Sequence, residues 1–217
     1  MDLIGRVKGV LLKPKDEFAK AAGEPGDMKS ILMPYVVVLA AITPIMDFIS
    51  HGLIGVYVPA QRIFGMTVGG GFIRTPVFSL VSSIIGFAVV IGVWWFYGFI
   101  LAALAGAFGG RKGMGGGLKA AALAMTPVFV AGALDLLGSV PYLGWLPMLA
   151  KLGALVYSAI LVIWAVPVLL GTPQDKAIGH GLAAFGIVLV SAIVAMFIIM
   201  AVIGAVLLGA VGAAGLH

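Results

Sequence analysis

The sequence predicts an all-α membrane protein of five transmembrane helices, with a cytoplasmic N-terminus and an amphipathic interfacial arm ahead of the first span. Three observations carry this. Of the 217 residues 62% are hydrophobic and only 10% charged, whereas a soluble domain carries roughly a quarter charged residues. Several apolar runs reach the ~20 residues that cross a ~30 Å hydrocarbon core as a helix. The cations are unevenly divided among the connections. An inside N-terminus puts Arg6, Lys8, Lys13, Lys15, Lys20, Lys29, Arg111, Lys112, Lys119 and Lys176 in the cytoplasm, against Arg62, Arg74 and Lys151 outside, as the positive-inside rule requires. Five spans then leave the C-terminus outside.

Residues 1–30 form the arm. On a helical wheel Leu3, Ile4, Val7, Val10, Leu11 and Phe18 share a face, and Arg6, Lys8 and Lys13 point away from it. That pattern suits a helix lying in the headgroup plane of the cytoplasmic leaflet, or alternatively a solvated basic arm. In "KPKDEF" Pro14 restarts the helix, Asp16 and Glu17 sit in its first turn, and Gly23 ends it. Charged residues recur through the arm, so no apolar signal-peptide core stands here and the first span serves as its own insertion signal.

Residues 31–217 form the transmembrane domain, with spans expected at 31–50, 77–108, 118–137, 145–170 and 182–211. The second would measure about 48 Å as one helix, so it is expected to tilt and to project on one side. Between the first two spans, "HGLIGVYVPAQRIFGMTVGGGFIRTP" is half apolar, broken by Pro59 and a glycine triplet, and too short for a loop plus a span. It is expected on the outer surface as a β-like hairpin or a re-entrant turn, because bare backbone in hydrocarbon is costly. Tyr142 and Trp145 suit the outer interfacial belt. Small residues at Ala102/Gly106 and Ala205/Gly209 allow close helix contact, within the chain or in a dimer.

No constellation of reactive residues stands out. The glycine-rich loop "GGRKGMGGG" offers the GxxxxG spacing from Gly110 to Gly115, but Gly116 stands where a phosphate-loop lysine belongs. Its glycines read as a turn, and Arg111, Lys112 and Lys119, with Arg6, Lys8 and Lys13 of the arm, are candidate contacts for anionic lipid headgroups. Two carboxylates lie inside spans, Asp47 and Asp135, and the topology places both at the depth of Lys151 near the outer interface. Intramembrane charges default to a partner or a function, so these three are read as an ionic cluster, either a structural pair or triad or a proton or cation site, with simple exposure to interfacial water as the remaining alternative. His51, His180 and His217 are scattered over loops and the terminus, which defeats a zinc helix. No serine sits in a GxSxG elbow and neither aspartate in a GxGD context. The expectation is a non-enzymatic protein without catalytic, metal or cofactor residues. Cations that form no basic face exclude nucleic acid as a partner. Pro44, Pro127 and Pro167 interrupt three spans, and Thr43 and Thr126 are placed to satisfy freed carbonyls.

Three segments carry a resemblance over nearly the whole chain. These are "VKGVLLKPKDEF", "FGGRKGMGGGLKAAALAMTPVFVAGAL" and "VPVLLGTPQDKAIGH". In this order they resemble the prokaryotic branch of the Yip-one family, the Ypt-interacting five-span membrane proteins. The matching positions are Phe108, Gly109, Gly110, Pro127, Pro167, Pro173, Lys176 and Gly179; His180 departs from the family's tyrosine. The resemblance implies an integral protein of the prokaryotic inner membrane that organises or scaffolds, binding lipid and other membrane proteins or a second copy of itself. Rab binding by the eukaryotic relatives is not carried over, because the arm here is short. The alternative from the residues alone is a small channel or transporter using Asp47 and Asp135.

Overall fold

The computed structural model describes residues 2–24, 29, 35–63, 66–111 and 113–214. Five helices in it are long and apolar enough to cross a membrane: Val37–Ile54, Pro76–Ala105, Met114–Ser139, Leu146–Leu170 and a fifth from Gln174. The chain is therefore a multi-pass all-α membrane protein. The first span begins among residues partly outside the described ones. The third starts at Met114 instead of Leu118, and the fifth at Gln174 instead of Leu182. Both shifts come from short-range chemistry hidden under a polar or glycine-rich surface. Asp175 stands in the first turn after Pro173, favourable at a helix N-terminus, and the glycines after Met114 are held helical by packing.

The arm folds as two helices, α1 (Leu3–Leu12) and α2 (Pro14–Ala22). Asp2 caps α1 by accepting from the Gly5 N–H at 2.9 Å. Pro14 opens α2, Asp16 and Glu17 occupy its first turn and Gly23 follows its end. The apolar face turns onto the helix bundle: Val10 and Phe18 are fully buried, and Leu3 and Val7 pack against the core. The expected rest on the leaflet is replaced by protein contact for that stripe, while Ile4 and Leu12 stay exposed.

The first span is built from α3 (Val37–Ala40), α4 (Ile42–Asp47) and a π-helical turn over Phe48–Ile54. A long antiparallel hairpin follows, which resolves the sequence alternatives for this segment. Strands β1 (Val56–Val58) and β4 (Gly71–Ile73) pair with Tyr57 opposite Phe72, and β2 (Gln61–Ile63) with β3 (Met66–Val68) places Arg62 opposite Thr67. Gly69 and Gly70 both have positive φ, which lets the strand re-enter register after the bend at Pro59.

The second span is the single helix α5 (Pro76–Ala105). The third runs through α6 (Met114–Ala124), α7 (Thr126–Ala131) and a 3-10 stretch over Gly132–Ser139, with a break at Met125 just before Pro127. Thr126 donates from its hydroxyl to the Ala122 carbonyl at 3.2 Å, re-satisfying backbone beside the proline as expected. The fourth span is α8 (Leu146–Leu170), which carries Pro167 inside it, and the fifth is α9 (Ala177–Ala214).

The third span is the central one. In its apolar stretch 61% of residues are buried, against 17–28% in the other four spans. Small residues make this possible. A Cβ on Gly117 would fall 2.2 Å from the Gly98 carbonyl oxygen and one on Gly98 would fall 2.9 Å from the Leu118 Cα, so the backbones of α5 and α6 touch. Trp94, fully buried, fastens the same contact by donating its indole N–H to the Leu118 carbonyl at 3.2 Å. On the hairpin side of the break the first span takes over as neighbour. There a Cβ on Gly132 would overlap the Thr43 hydroxyl at 1.9 Å, and the Ser50 and Ser139 hydroxyls meet at 2.7 Å.

Candidate functional site

Most of the residues that carry the family resemblance converge at one corner on the arm side. The chain leaves α5 in a turn at Gly106–Gly109 and crosses to the end of α8, where the Arg111 N–H donates to the Leu170 carbonyl at 2.7 Å. Gly110 sits in the angle. A Cβ there would lie 2.8 Å from both the Leu170 carbonyl oxygen and the Thr172 Oγ1, so only glycine fits. Gly109 takes φ 77° and lies under Pro173 and the Lys176 ammonium. Gly171, at φ 64°, ends α8 in the left-handed conformation.

His180 closes this corner from the first turns of α9. It is fully buried, which corrects its expected place in a loop. Its Nε2 lies 2.9 Å from the Leu101 carbonyl and its Nδ1 2.8 Å from the Thr172 hydroxyl. A carbonyl only accepts, so Nε2 carries a proton, and in the neutral ring Nδ1 accepts from Thr172. The Phe108 ring stacks on the imidazole at 5.2 Å with 4° between planes. Gly179 permits this, since a Cβ there would lie 3.0 Å from the Phe108 ring. Phe108, Gly109, Gly110, Pro173, Lys176 and Gly179 thus form one constellation, with Arg111 and Lys176 exposed on its surface. Pro127 and Pro167 stand apart from it, inside the third and fourth spans.

Beside the corner the arm is fastened by polar contacts. Lys119, expected at lipid headgroups, is instead 8% exposed. Its ammonium donates to the Ala21 carbonyl at 2.7 Å and to the Glu24 carbonyl, which places a cation at the C-terminal end of α2. Arg6 also turns inward, forking onto the Glu24 carboxylate, with Glu17 at 3.9 Å. The fork holds the Glu24 carboxyl below its ordinary range and raises the Arg6 guanidinium. Tyr157 donates to the Leu11 carbonyl at 2.8 Å, and the Lys15 ammonium sits 5.5 Å from the centroid of the Trp164 ring. Of the other expected headgroup contacts, Lys8, Lys13 and Arg111 are exposed, and Lys112 lies outside the described residues.

On the hairpin side the structure brings Asp135 and Lys151 together, with Oδ1 2.7 Å from Nζ. Asp135 is 8% exposed, and its Oδ2 is buried with no hydrogen-bond partner among the described residues. Asp47 finds its partner elsewhere, its Oδ1 lying 3.0 Å from His51 Nδ1. The π-helical turn carries the helix through His51 and so sets the two side chains one turn apart. Between the two pairs, the Ser139 hydroxyl donates to the Ser50 carbonyl at 3.0 Å. Among the described residues no three His, Asp or Glu side chains are grouped to hold a metal ion.

Sequence reasoning missed Ser50, Ser139, Thr172 and Gly98. Gly98 alone left a signal, four residues before the Ala102/Gly106 pair. The family model of the Yip1 domain, the Yip-one family of the resemblance, matches residues 8–196. No curated protein and no solved structure matches the chain.

Proposed function

The chain belongs to the Yip1 domain family, and from that we propose that it is a non-enzymatic organiser of the membrane, which associates with a second copy of itself and with other membrane proteins. The observation that carries this reading is the corner. The family residues there lock two connections to each other, with Phe108 stacked on His180 and His180 hydrogen-bonded to Thr172 and to the Leu101 carbonyl. What such a corner offers outward is a fixed surface with Arg111 and Lys176 on it, next to the docked arm. We place the arm and the corner on the cytoplasmic side of a prokaryotic inner membrane, with Lys8, Lys13, Arg111 and Lys112 at anionic headgroups. Single-molecule photobleaching of the labelled chain in vesicles tests association. Two or more bleaching steps per particle at low protein density are expected, and single steps throughout overturn self-association.

A second reading, a channel or transporter, is favoured by one observation: the Asp135 Oδ2 is buried beside a lysine and has no hydrogen-bond partner among the described residues. Reconstituted flux decides it. Under this reading pH-dependent ion movement is lost in Asp47→Asn or Asp135→Asn, and wild-type vesicles as tight as empty ones sink it.

A further inference from the structure

A recess of about 440 Å³ opens on the arm side of the molecule, where the turn between α1 and α2 meets α8, and Lys13, Pro14, Lys15, Asp16 and Trp164 line it. Lys13, Lys15, Asp16 and Trp164 are all exposed, so the recess is open to whatever surrounds the protein. The Lys15 ammonium is held 5.5 Å from the centroid of the Trp164 ring, an arrangement that fixes a flexible side chain over an aromatic face. Neither lysine has an ion-pair partner among the described residues.

The recess stands where a phospholipid changes from chain to head. Trp164 lies six residues before the Leu170 end of α8, about 9 Å along the axis, and tryptophan favours that interfacial depth. Toward the bilayer centre Ile160, Val156 and Leu152 follow it at a four-residue spacing, all exposed, and so form one apolar row on the helix. On the arm Leu12, next to Lys13, is also exposed, so apolar surface borders the recess on both sides. Lysine stems lie along such surface while their ammoniums reach for phosphate. Charge then selects the head. Lys13 and Lys15 against Asp16 leave one positive charge in excess, which a single phosphodiester balances. An ammonium on the same head would restore the excess, a neutral lipid would leave it unmatched, and a soluble phosphate ester would leave the apolar row bare.

We propose that this recess binds one anionic phospholipid of the phosphatidylglycerol class, its phosphodiester between the Lys13 and Lys15 ammoniums and one chain along Trp164, Ile160 and Val156. The proposal rests on the placement of the arm at anionic headgroups made above, and narrows it from a spread of surface cations to one discrete site. The full chain, purified in an uncharged detergent, is titrated with dioleoylphosphatidylglycerol or dioleoylphosphatidylcholine, and native mass spectrometry counts the lipids retained per chain. Saturable retention of one phosphatidylglycerol is expected, with phosphatidylcholine held about fivefold more weakly or less. Lys13→Gln and Lys15→Gln should each weaken retention about fivefold, the worth of one lysine at an anionic lipid surface. Trp164→Leu, which removes the ring under Lys15, should weaken it about two- to fivefold. Lys8→Gln and Arg111→Gln lie outside the recess and should leave it unchanged. If these two weaken retention as much as Lys15→Gln, the general headgroup contact stands and the site falls. If phosphatidylglycerol and phosphatidylcholine are retained alike, or neither is retained, both fall. Glycerol phosphate, a head without chains, should not displace the lipid; displacement by it at equal concentration overturns a lipid as the occupant. A Lys13→Gln/Lys15→Gln double variant that titrates like wild type overturns the proposal as well.

Discussion

Gly110 and Gly113 stand in the same loop, yet they meet different surroundings. A methyl group at Gly110 would press on the Leu170 carbonyl and the Thr172 hydroxyl at 2.8 Å, while one at Gly113 meets nothing within 4 Å. Gly110→Ala should therefore destabilise the protein by about 1–3 kcal/mol, the usual cost of overpacking, with Gly113→Ala near neutral; detergent-unfolding curves of the two variants check this. The Asp135–Lys151 pair allows a sharper measurement. Lys151→Met leaves a buried carboxylate unpaired, whereas the double variant with Asp135→Leu removes both charges. A double-mutant cycle should show a coupling of about 1–3 kcal/mol, and additive effects would show that the pair contributes nothing. At this scale the sequence is only partly legible. Asp135 and Lys151 were readable together, because topology alone puts them at one depth. Asp47 and His51 are four apart, a helical spacing, but an apolar run that stops at Ser50 puts the histidine in a loop, and only the π-helical turn restores the neighbourhood. Lys119 was not readable at all. A lysine after three glycines looks like a loop cation, and its burial depends on α2, far away in sequence, folding back onto it.

Among the elements, the arm makes the pH-sensitive contact. The Arg6 fork depresses the Glu24 carboxyl below its ordinary value of 4.5. A depressed folded-state value means that the contribution to docking is present above the unfolded value and is lost as pH falls through the folded one. Arm release is thus expected only as pH falls below the ordinary carboxylate value of 4.5 and through the depressed one, and neutral conditions keep it docked. Leu12 is 78% exposed, so a spin label on Leu12→Cys, in a chain that has no other cysteine, reports arm mobility without disturbing the contact. Mobility should rise through that acid range in the wild-type background. With Glu24→Gln added, it should be raised already at neutral pH and stay flat. The elements themselves were legible where their signals are local. Length and apolarity mark the spans, while Pro59 and the glycine triplet mark the bend and return of the hairpin. The burial of the arm's apolar stripe was not, because a stripe of that width fits a lipid surface and a protein groove equally well, and sequence does not say which surface is nearer.

For the whole molecule, the five spans and the cation asymmetry fix an expected orientation that chemistry can test from either side of the membrane. Lys112→Cys should be modified by a membrane-impermeant maleimide only after the vesicle or cell is opened, and Arg62→Cys, on the hairpin, without opening. The reverse pattern would invert the protein. Its core was legible only in outline. That five apolar helices bundle together follows from hydropathy, but that the third is the central one follows from Gly98, Gly117 and the alanines of α6 meeting face to face, a pairing between spans that a single sequence does not announce.

The break at Met125 gives the third span two sets of neighbours. Its first half is locked to α5, α8 and the arm, and its second half to the first span through Gly132 and Ser139 and to α8 through Asp135. In mechanical terms it is a two-piece linkage with its pin at Thr126, whose hydroxyl is shared by the Ala122 carbonyl and, at 2.6 Å, by Tyr35. The break therefore gives one span two partners, the arm near its start and the first span near its end, with α8 touching both halves.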